Sequence, residues 1–580
     1  MIDTRLRILS LFVISFLSTG TLIAWYLGEL FPWIHVFVYL SVMVVVLALG
    51  FDINGIVRYY WSLIILCLIG IFFRVPMVLL PGTLSANDPE KYALFARLTL
   101  VTNSYVLPDL EFYGIAGAFH TYIAQTSAIA GIVPEDAMVV VALLFGLWTP
   151  LITASFCLSV LGRSESGYQA AIIAATVATV AAISVSRSYA PIAQSLGTIL
   201  LVTLLFVIIK QVDVNRPAIG FVLLILTAAV AVSHKLPLVV ATPIAGVIWL
   251  TTRISATDYV SWIPDSRHLS FWIVVVLAAA TVIQQYVITS FLADAILLTQ
   301  NTASAVSVPQ RAGVHPNAAS VPNVGILGVL TGHSHAPVTL LHAGLSWLLV
   351  AWVLIRGVRP SRSTVVAFLV TVASLVAAFI ISLGAVVVPE AINPFRIYIL
   401  AELLLAGLIG VGMIVAQRGN SFVRVPIMIL LVLVLIFNGF SAAAAPDFPS
   451  EERSYLTSQE MTAKRFAVDH VPGRIYTDSR FARQTPYPER VNEKTDPWTR
   501  LGGPPSGTGF NSINSELVTG TAVSAGYPTV MYRTGENIYE VSGFKNYRYR
   551  LEWEVEDTAD SQYHRVYDNE AVIIYRDPTL

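Results

Sequence analysis

Apolar residues run in blocks of 18 or more from the start of the chain to about residue 445, broken by short polar stretches. Each block can cross roughly 30 Å of hydrocarbon as a helix. Spans are predicted over about 8–28, 33–50, 60–80, 137–160, 168–186, 192–209, 218–232, 237–251, 271–291, 338–355, 364–388, 397–416 and 425–445. The N-terminus, Arg5 and Arg7 ahead of an apolar run from Ile8, imitates a signal peptide. That run is long and lacks a small-residue cleavage site, so it is read as the first span. The pattern predicts a polytopic α-helical membrane protein of about 13 transmembrane helices over 1–445. An external loop at 81–136 interrupts it, and a soluble region at 446–580 follows.

Charge sets the orientation. The stretch 112–132 is apolar enough to count as one more span. Placed instead at the interface or as a re-entrant segment, it lets the loops alternate in basic content as the positive-inside rule requires. The cytoplasmic side then receives Arg5, Arg7, Arg58, Arg163, Lys210, Arg216, Arg253, Arg267, Arg356, Arg359, Arg362, Arg418 and Arg424. The N-terminus is cytoplasmic on this reading. Loop 81–136, the loop at about 292–337, the turn "PEAINPFR" and the 446–580 domain are extracytoplasmic.

Composition agrees: 56% of the 580 residues are hydrophobic and 12% charged, and the mean hydropathy is +0.71. A net charge of −1 leaves no basic face able to track nucleic acid. Residues 446–580 hold 20 acidic and 15 basic side chains and no spanning segment. Strand signals in "GRIYTD", "YRYRLEWEVE" and "AVIIYR", the last after the turn-like "DNE", predict a mixed α/β domain. Cys67 and Cys157 fall in predicted spans and are expected to pack as small apolar side chains. Neither a Walker-type loop nor a dinucleotide fingerprint occurs, and nucleotide donors are in any case confined to the cytoplasm.

The candidate chemistry lies in the polar interruptions. In "NDPEKYALF", Pro89 biases Asp88 away from the helical region while Glu90, Lys91 and Tyr92 start a helix, which puts Asp88 at an N-cap. A cap presents its carboxylate at a fixed angle. That suits helix stability, and it equally suits a general base taking a proton from a sugar hydroxyl. Asp109 and Glu111 could share a divalent cation or be plain surface charges. His120, in an apolar helix, is either a packing residue or part of a site lining. Arg74 in "IFFRVP", Arg187 and Tyr189 in "SRSYAPIAQS", and His234 and Lys235 in "SHKLP" stand at helix ends on the external side. Such residues anchor at the interface or bind anionic head groups. Arg396, after two prolines in "PEAINPFRIY", could clamp a phosphate bidentately or snorkel to the interface. His333, His335 and His342 belong to a loop with no Cys or carboxylate nearby in sequence, and read as ordinary polar residues.

In their order, spacing and common sidedness, "FRVP", "NDPEKYALFARL", "EFYGIAGAFHTYIAQTSAIAGI", "SHKLP", "NPFRIYIL" and "VYDNEAVIIYR" resemble the GT-C superfamily of polytopic glycosyltransferases. Those enzymes use polyprenyl-phosphate-linked sugars at the outer membrane face. The likeness is greatest to archaeal relatives of the dolichyl-phosphate-mannose mannosyltransferases, which build glycans of surface-layer glycoproteins. The resemblance implies an acidic catalytic base in the first large external loop, here Asp88 or Glu90. It implies donor-phosphate contacts from Arg396, with Arg74 and Lys235 as helpers, and a lining of Lys91, His120, Arg187, Tyr189 and His234. No metal cofactor is required; Asp109 and Glu111 are the weak candidates for a divalent cation. The partners are a dolichyl-phosphate-linked sugar, a glycan acceptor on lipid or protein, and membrane lipids. Six lysines against 29 arginines, with an acidic tail, would suit a salt-adapted archaeon. Two departures stand out: two extra spans precede the acidic loop, and the tail has no "WWDYG"-like motif.

The function expected is inverting transfer of a hexose, with mannose the leading choice. The competing class is a lipid-linked oligosaccharide flippase or a secondary transporter, which would place ionisable groups near the bilayer midplane and show an internal repeat.

Overall fold

The computed structural model describes residues 55–79, 87–105, 116–181, 192–214, 216–255, 269–288, 363–384, 394–417, 456–478, 481–482, 510–519, 521–522, 524–534, 538–541, 547–550 and 559–579, with single residues and short runs between 342 and 438. The predicted spans 8–28 and 33–50 and the loop at 292–337 lie outside the described residues. The described residues fall into two compact units. The first takes Met1–Met77, Ser104–Ala305 and His335–Ala443, and the second Val78–Asn103, Val306–Ser334 and Ala444–Leu580.

The first unit is helical: α1 (Ile56–Leu79), α3 (Ala118–Ala130), α4 (Pro134–Leu161), α5 (Glu165–Thr179), α6 (Ala193–Val214), α7 (Pro217–Ala231), α8 (Pro237–Ser255), α9 (Phe271–Ile283), α10 (Ser363–Gly384) and α11 (Pro394–Gln417). Between them in sequence, α2 (Asn87–Thr102) falls in the second unit. The polar interruptions set the helix ends. Pro134 and Pro217 occupy first-turn positions, where a missing N–H costs no hydrogen bond. Ser164 caps α5 by accepting from the Gly167 N–H at 3.2 Å. Among the described residues five helical stretches are long and apolar enough to cross a membrane: Ile56–Val75, Pro134–Leu161, Ala193–Val212, Pro237–Ile254 and Phe271–Ile288. The chain is a multi-pass helical membrane protein. Exposed Phe221, Leu224, Ile225, Trp272, Val282 and Val287 give α7 and the α9 segment an apolar outer surface suited to lipid.

Among the described residues of the stretch 112–132 the helix is the 13-residue α3. At 1.5 Å per residue this covers roughly 20 Å, too short to span hydrocarbon. Much of the predicted loop 81–136 is therefore helical, with α2, α3 and the start of α4 inside it. Its apolar residues can be buried only if their backbone hydrogen bonds are satisfied internally.

Small residues let the helices approach closely. A methyl group on Gly70 of α1 would sit 2.2 Å from the Gly146 carbonyl oxygen of α4, and one on Gly146 would sit 2.4 Å from the Gly70 oxygen. Gly410 of α11 has the same relation to the Ala170 oxygen of α5, at 2.3 Å. Helix α5 is alanine-rich and buried over nearly its whole length, so it is a core helix of this unit. Cys67 and Cys157 are buried free thiols on α1 and α4, the latter directed at the Gly407 carbonyl.

In the second unit the capped helix α12 (Ser458–His470) begins with a reciprocal box between Thr457 and Glu460. Each of the three stretches expected to hold strands contains one. Strands β1 (Ile475–Thr477), β2 (Phe510–Ser512), β3 (Thr529–Arg533), β6 (His564–Asp568) and β7 (Val572–Arg576) form a mixed sheet in the order β2-β1-β3-β7-β6. Strand β1 is parallel to β2 and β3, and β7 is antiparallel to β3 and β6. Strands β4 (Ile538–Val541) and β5 (Tyr547–Arg550) pair separately, and the short α13 (Asn514–Thr519) follows β2.

Four buried charges tie α12 to this sheet. Arg533 grips Asp478 through two hydrogen bonds of 2.8 and 2.9 Å and reaches Glu460 at 3.6 Å. The Lys464 ammonium donates to the Phe481 carbonyl and lies over the Phe481 and Phe510 rings. Two cations and two anions neutralise one another inside the unit.

Candidate functional site

The best-defined polar cluster of the helical unit surrounds the turn between α7 and α8, "SHKLP". Side chains of α9 hold it. Immediately after α9 the helix widens into a π turn over Gln284–Ile288. Both glutamines at its start are buried and face the turn: Gln284 Nε2 donates to the Ala231 carbonyl at 2.6 Å and the His234 carbonyl at 3.3 Å. Gln285 Nε2 donates to the Lys235 carbonyl at 3.2 Å and to Gln284 Oε1 at 3.1 Å. Below this, the Thr242 and Thr281 hydroxyls join α8 to α9 at 2.7 Å. A chain turning inside an apolar bundle exposes carbonyls that have no water to bond, and the two amides supply the missing donors.

Two more helix ends meet the same turn. The Ala118 N–H at the start of α3 donates to the Val232 carbonyl at 3.2 Å. His120, in the first turn of α3, is buried with its ring over Gly117, where a methyl group would lie 2.5 Å from Nε2. His234 is buried against Gly197 near the start of α6, where a methyl group would lie 2.8 Å from the His234 Cβ. Its Nδ1 accepts from the Leu236 N–H at 3.2 Å, so the neutral ring carries its proton on Nε2. Lys235 is half-buried. The ends of α3, α6, α7, α8 and α9 thus gather around one short turn that carries an imidazole and an ammonium.

A second cluster joins α1 to α11. Arg74 is wholly enclosed, its Nη1 donating to the Gly70 carbonyl at 2.8 Å, and its side chain packs over Gly146, whose lack of a side chain makes room for it. The guanidinium interacts electrostatically with Glu402, buried within α11. Glu402 acts also on Tyr398, one turn earlier, and the Tyr398 ring meets that of buried His342 edge-on at 6.3 Å. A charge this deep in an apolar bundle needs an opposite charge nearby, and these two residues supply one another.

Of the residues predicted to bear function, His234 and Lys235 share the turn, and His120 lies on α3, whose Ala118 N–H bonds the turn at Val232. Arg74 belongs to the second cluster, enclosed beside a carboxylate. Helix α2 starts at Asn87, one residue before the expected cap, so Asp88 stands in its first turn. The first N–H groups of a helix have no intrahelical partner, so Pro89 fits there without loss. Asp88, Glu90, Lys91 and Arg396 have helical backbones, and their side chains lie outside the described residues. Asp109, Glu111, Arg187, Tyr189, His333 and His335 also lie outside them. Gln284, Gln285 and Glu402 fall inside predicted spans and are not among the residues expected from sequence to bear function. Their signal was a polar pair and a lone carboxylate in otherwise apolar runs.

No protein-family model matches the sequence, and no curated protein matches it. Among solved structures the chain is similar to the archaeal oligosaccharyltransferase AglB from Archaeoglobus fulgidus, in complex with an inhibitory peptide and a dolichol-phosphate, at 13% identity and a TM-score of 0.46. That similarity covers 83% of this chain and 70% of that one. In the apo form of the Archaeoglobus fulgidus oligosaccharyltransferase, the match spans 58% of that chain's length. ArnT from Cupriavidus metallidurans, bound to undecaprenyl phosphate, is similar at 13% identity with a TM-score of 0.45, over 90% of this chain and 98% of that one. The arabinofuranosyltransferase AftD from Mycobacteria is similar at 14% identity with a TM-score of 0.40, over 90% of this chain and 40% of that one.

Proposed function

We propose that this chain is an inverting membrane glycosyltransferase that moves a hexose, mannose in the first instance, from a dolichyl-phosphate donor to a glycan acceptor at the extracytoplasmic face. The observation that carries the reading is the gathering of five helix ends around the turn with His234 and Lys235. A cation held where spans end, rather than at mid-span, suits a lipid phosphate whose head group lies at that depth.

Transfer exchanges one bond for another. The acceptor hydroxyl loses its proton to a carboxylate and its oxygen attacks the anomeric carbon, while the bond from that carbon to the donor phosphate breaks. In this reading Asp88 is the base, with Glu90 the neighbouring acid, and Lys235 and Arg396 hold the leaving phosphate. Negative charge grows on that phosphate in the transition state, so a preorganised cation there accelerates the reaction. Such a clamp does the electrostatic work of a divalent cation. His120 and His234 line the donor side, and enclosed Arg74 interacts electrostatically with Glu402 of α11, the helix whose first turn carries Arg396.

One observation favours a second reading, a lipid-linked oligosaccharide flippase or secondary transporter: the Arg74–Glu402 pair is buried inside the bundle, as coupling groups of transporters are. Purified protein incubated with radiolabelled dolichyl-phosphate mannose and a glycan acceptor separates the two. Radiolabel joined to acceptor by a glycosidic bond, lost in Asp88→Ala, supports the transferase. Movement of lipid across vesicles without bond formation discards it.

A further inference from the structure

We infer that Gln284 and Gln285 are positioning residues for a lipid-phosphate site: they hold the α7–α8 turn so that Lys235 is presented to a polyprenyl phosphate. The inference rests on the proposed donor class, and deepens it by assigning two residues inside an otherwise apolar span.

The geometry is specific. A five-residue turn packed among helices has several backbone carbonyls to satisfy, and a buried one left unsatisfied is costly. Here two of them, on His234 and Lys235, and the Ala231 carbonyl at the end of α7 take their bonds from two adjacent side chains on one neighbouring helix. In a regular α-helix successive side chains diverge too far to serve one turn. Both amides reach the turn from the start of the π segment Gln284–Ile288. Gln285 also bonds Gln284, so the two act as one unit. The backbone on either side of the Lys235 side chain is fixed by this pair, while the side chain itself remains half-buried. An ammonium on a flexible four-carbon stem gains most from such fixing, because its entropy of ordering is otherwise lost on binding.

The test is a double-mutant cycle on the full-length protein in nanodiscs, reading the affinity for dolichyl phosphate at two salt concentrations. Lys235→Ala is expected to weaken binding about tenfold and to flatten its salt dependence. Gln285→Met, which keeps the volume and removes the donors, is expected to weaken it about threefold to tenfold, and Gln284→Met likewise. In the Lys235→Ala background either glutamine change should have no further effect, because what it positions is gone. Gln285→Asn, a shorter amide, serves as the check on folding.

Multiplicative effects of the lysine and glutamine changes, or full affinity in both glutamine variants, overturn this inference alone. Full affinity in Lys235→Ala removes the lysine, and with it the inference, while leaving the donor class standing. No measurable affinity in the wild type overturns the proposed donor and the inference together.

Discussion

Asp478 shows what one side chain contributes when its partner is buried. It accepts two hydrogen bonds from Arg533 and one from the Phe481 N–H at 2.9 Å. Asp478→Ala removes both short hydrogen bonds from a buried guanidinium, which keeps Glu460 at 3.6 Å. Removing one member of a buried pair costs about 3–5 kcal/mol. Hydrogen exchange of the full-length variant should show lost protection across β1, β3 and α12. Asp577 makes the opposite case, a carboxylate in solvent. The Thr579 hydroxyl at 2.5 Å and then its backbone N–H at 2.8 Å hold the Asp577 carboxyl below the usual carboxylate range. A depressed folded pKa adds stability above the unfolded value and loses it as pH falls through the folded one. Thr579→Ala should therefore loosen the end of β7 at about pH 6, and hydrogen exchange should show the difference from wild type vanishing once that carboxyl is protonated.

Pairs of helices are governed by how closely their backbones approach. Gly70 and Gly146 place each other's carbonyls where a Cβ would stand, and a methyl group on Gly146 would also come within 3.1 Å of the Arg74 Cδ. Gly146→Ala must push α1 from α4 and displace Arg74. Overpacking of this kind costs about 1–3 kcal/mol, and a thermal melt of the detergent-solubilised protein should show the loss. Gly246 is the control: it lies inside α8 with nothing within 4 Å of the added methyl. Gly246→Ala should leave the melt unchanged or raise it, because alanine favours a helix over glycine by roughly 0.5–1 kcal/mol.

For the whole molecule the decisive quantity is activity. Asp88→Ala should reduce transfer by about two to four orders of magnitude, the usual contribution of a general base, with donor affinity retained. Gln285→Met should do the reverse, weakening donor binding in a protein whose base is intact. Measuring kcat and KM for both variants checks that division. Equal loss of kcat and donor affinity in the two would mean that both changes act through folding.

The positions of many helix ends follow from the sequence alone. The predicted spans 137–160, 192–209, 218–232 and 397–416 correspond to α4, α6, α7 and α11 within a few residues at most ends, because a helix is the main way an apolar run can satisfy its backbone in lipid. The role of polar residues inside spans was not legible in the sequence. Gln284, Gln285 and Glu402 carry no local signal of what they face; their partners are about 50 residues away for the glutamines and lie on α1 for Glu402. Periodicity reports which residues share a helix face, whereas contact between distant helices depends on side-chain shape. Only the tertiary structure could decide that two glutamines hold a turn and that Arg74 lies within electrostatic reach of Glu402.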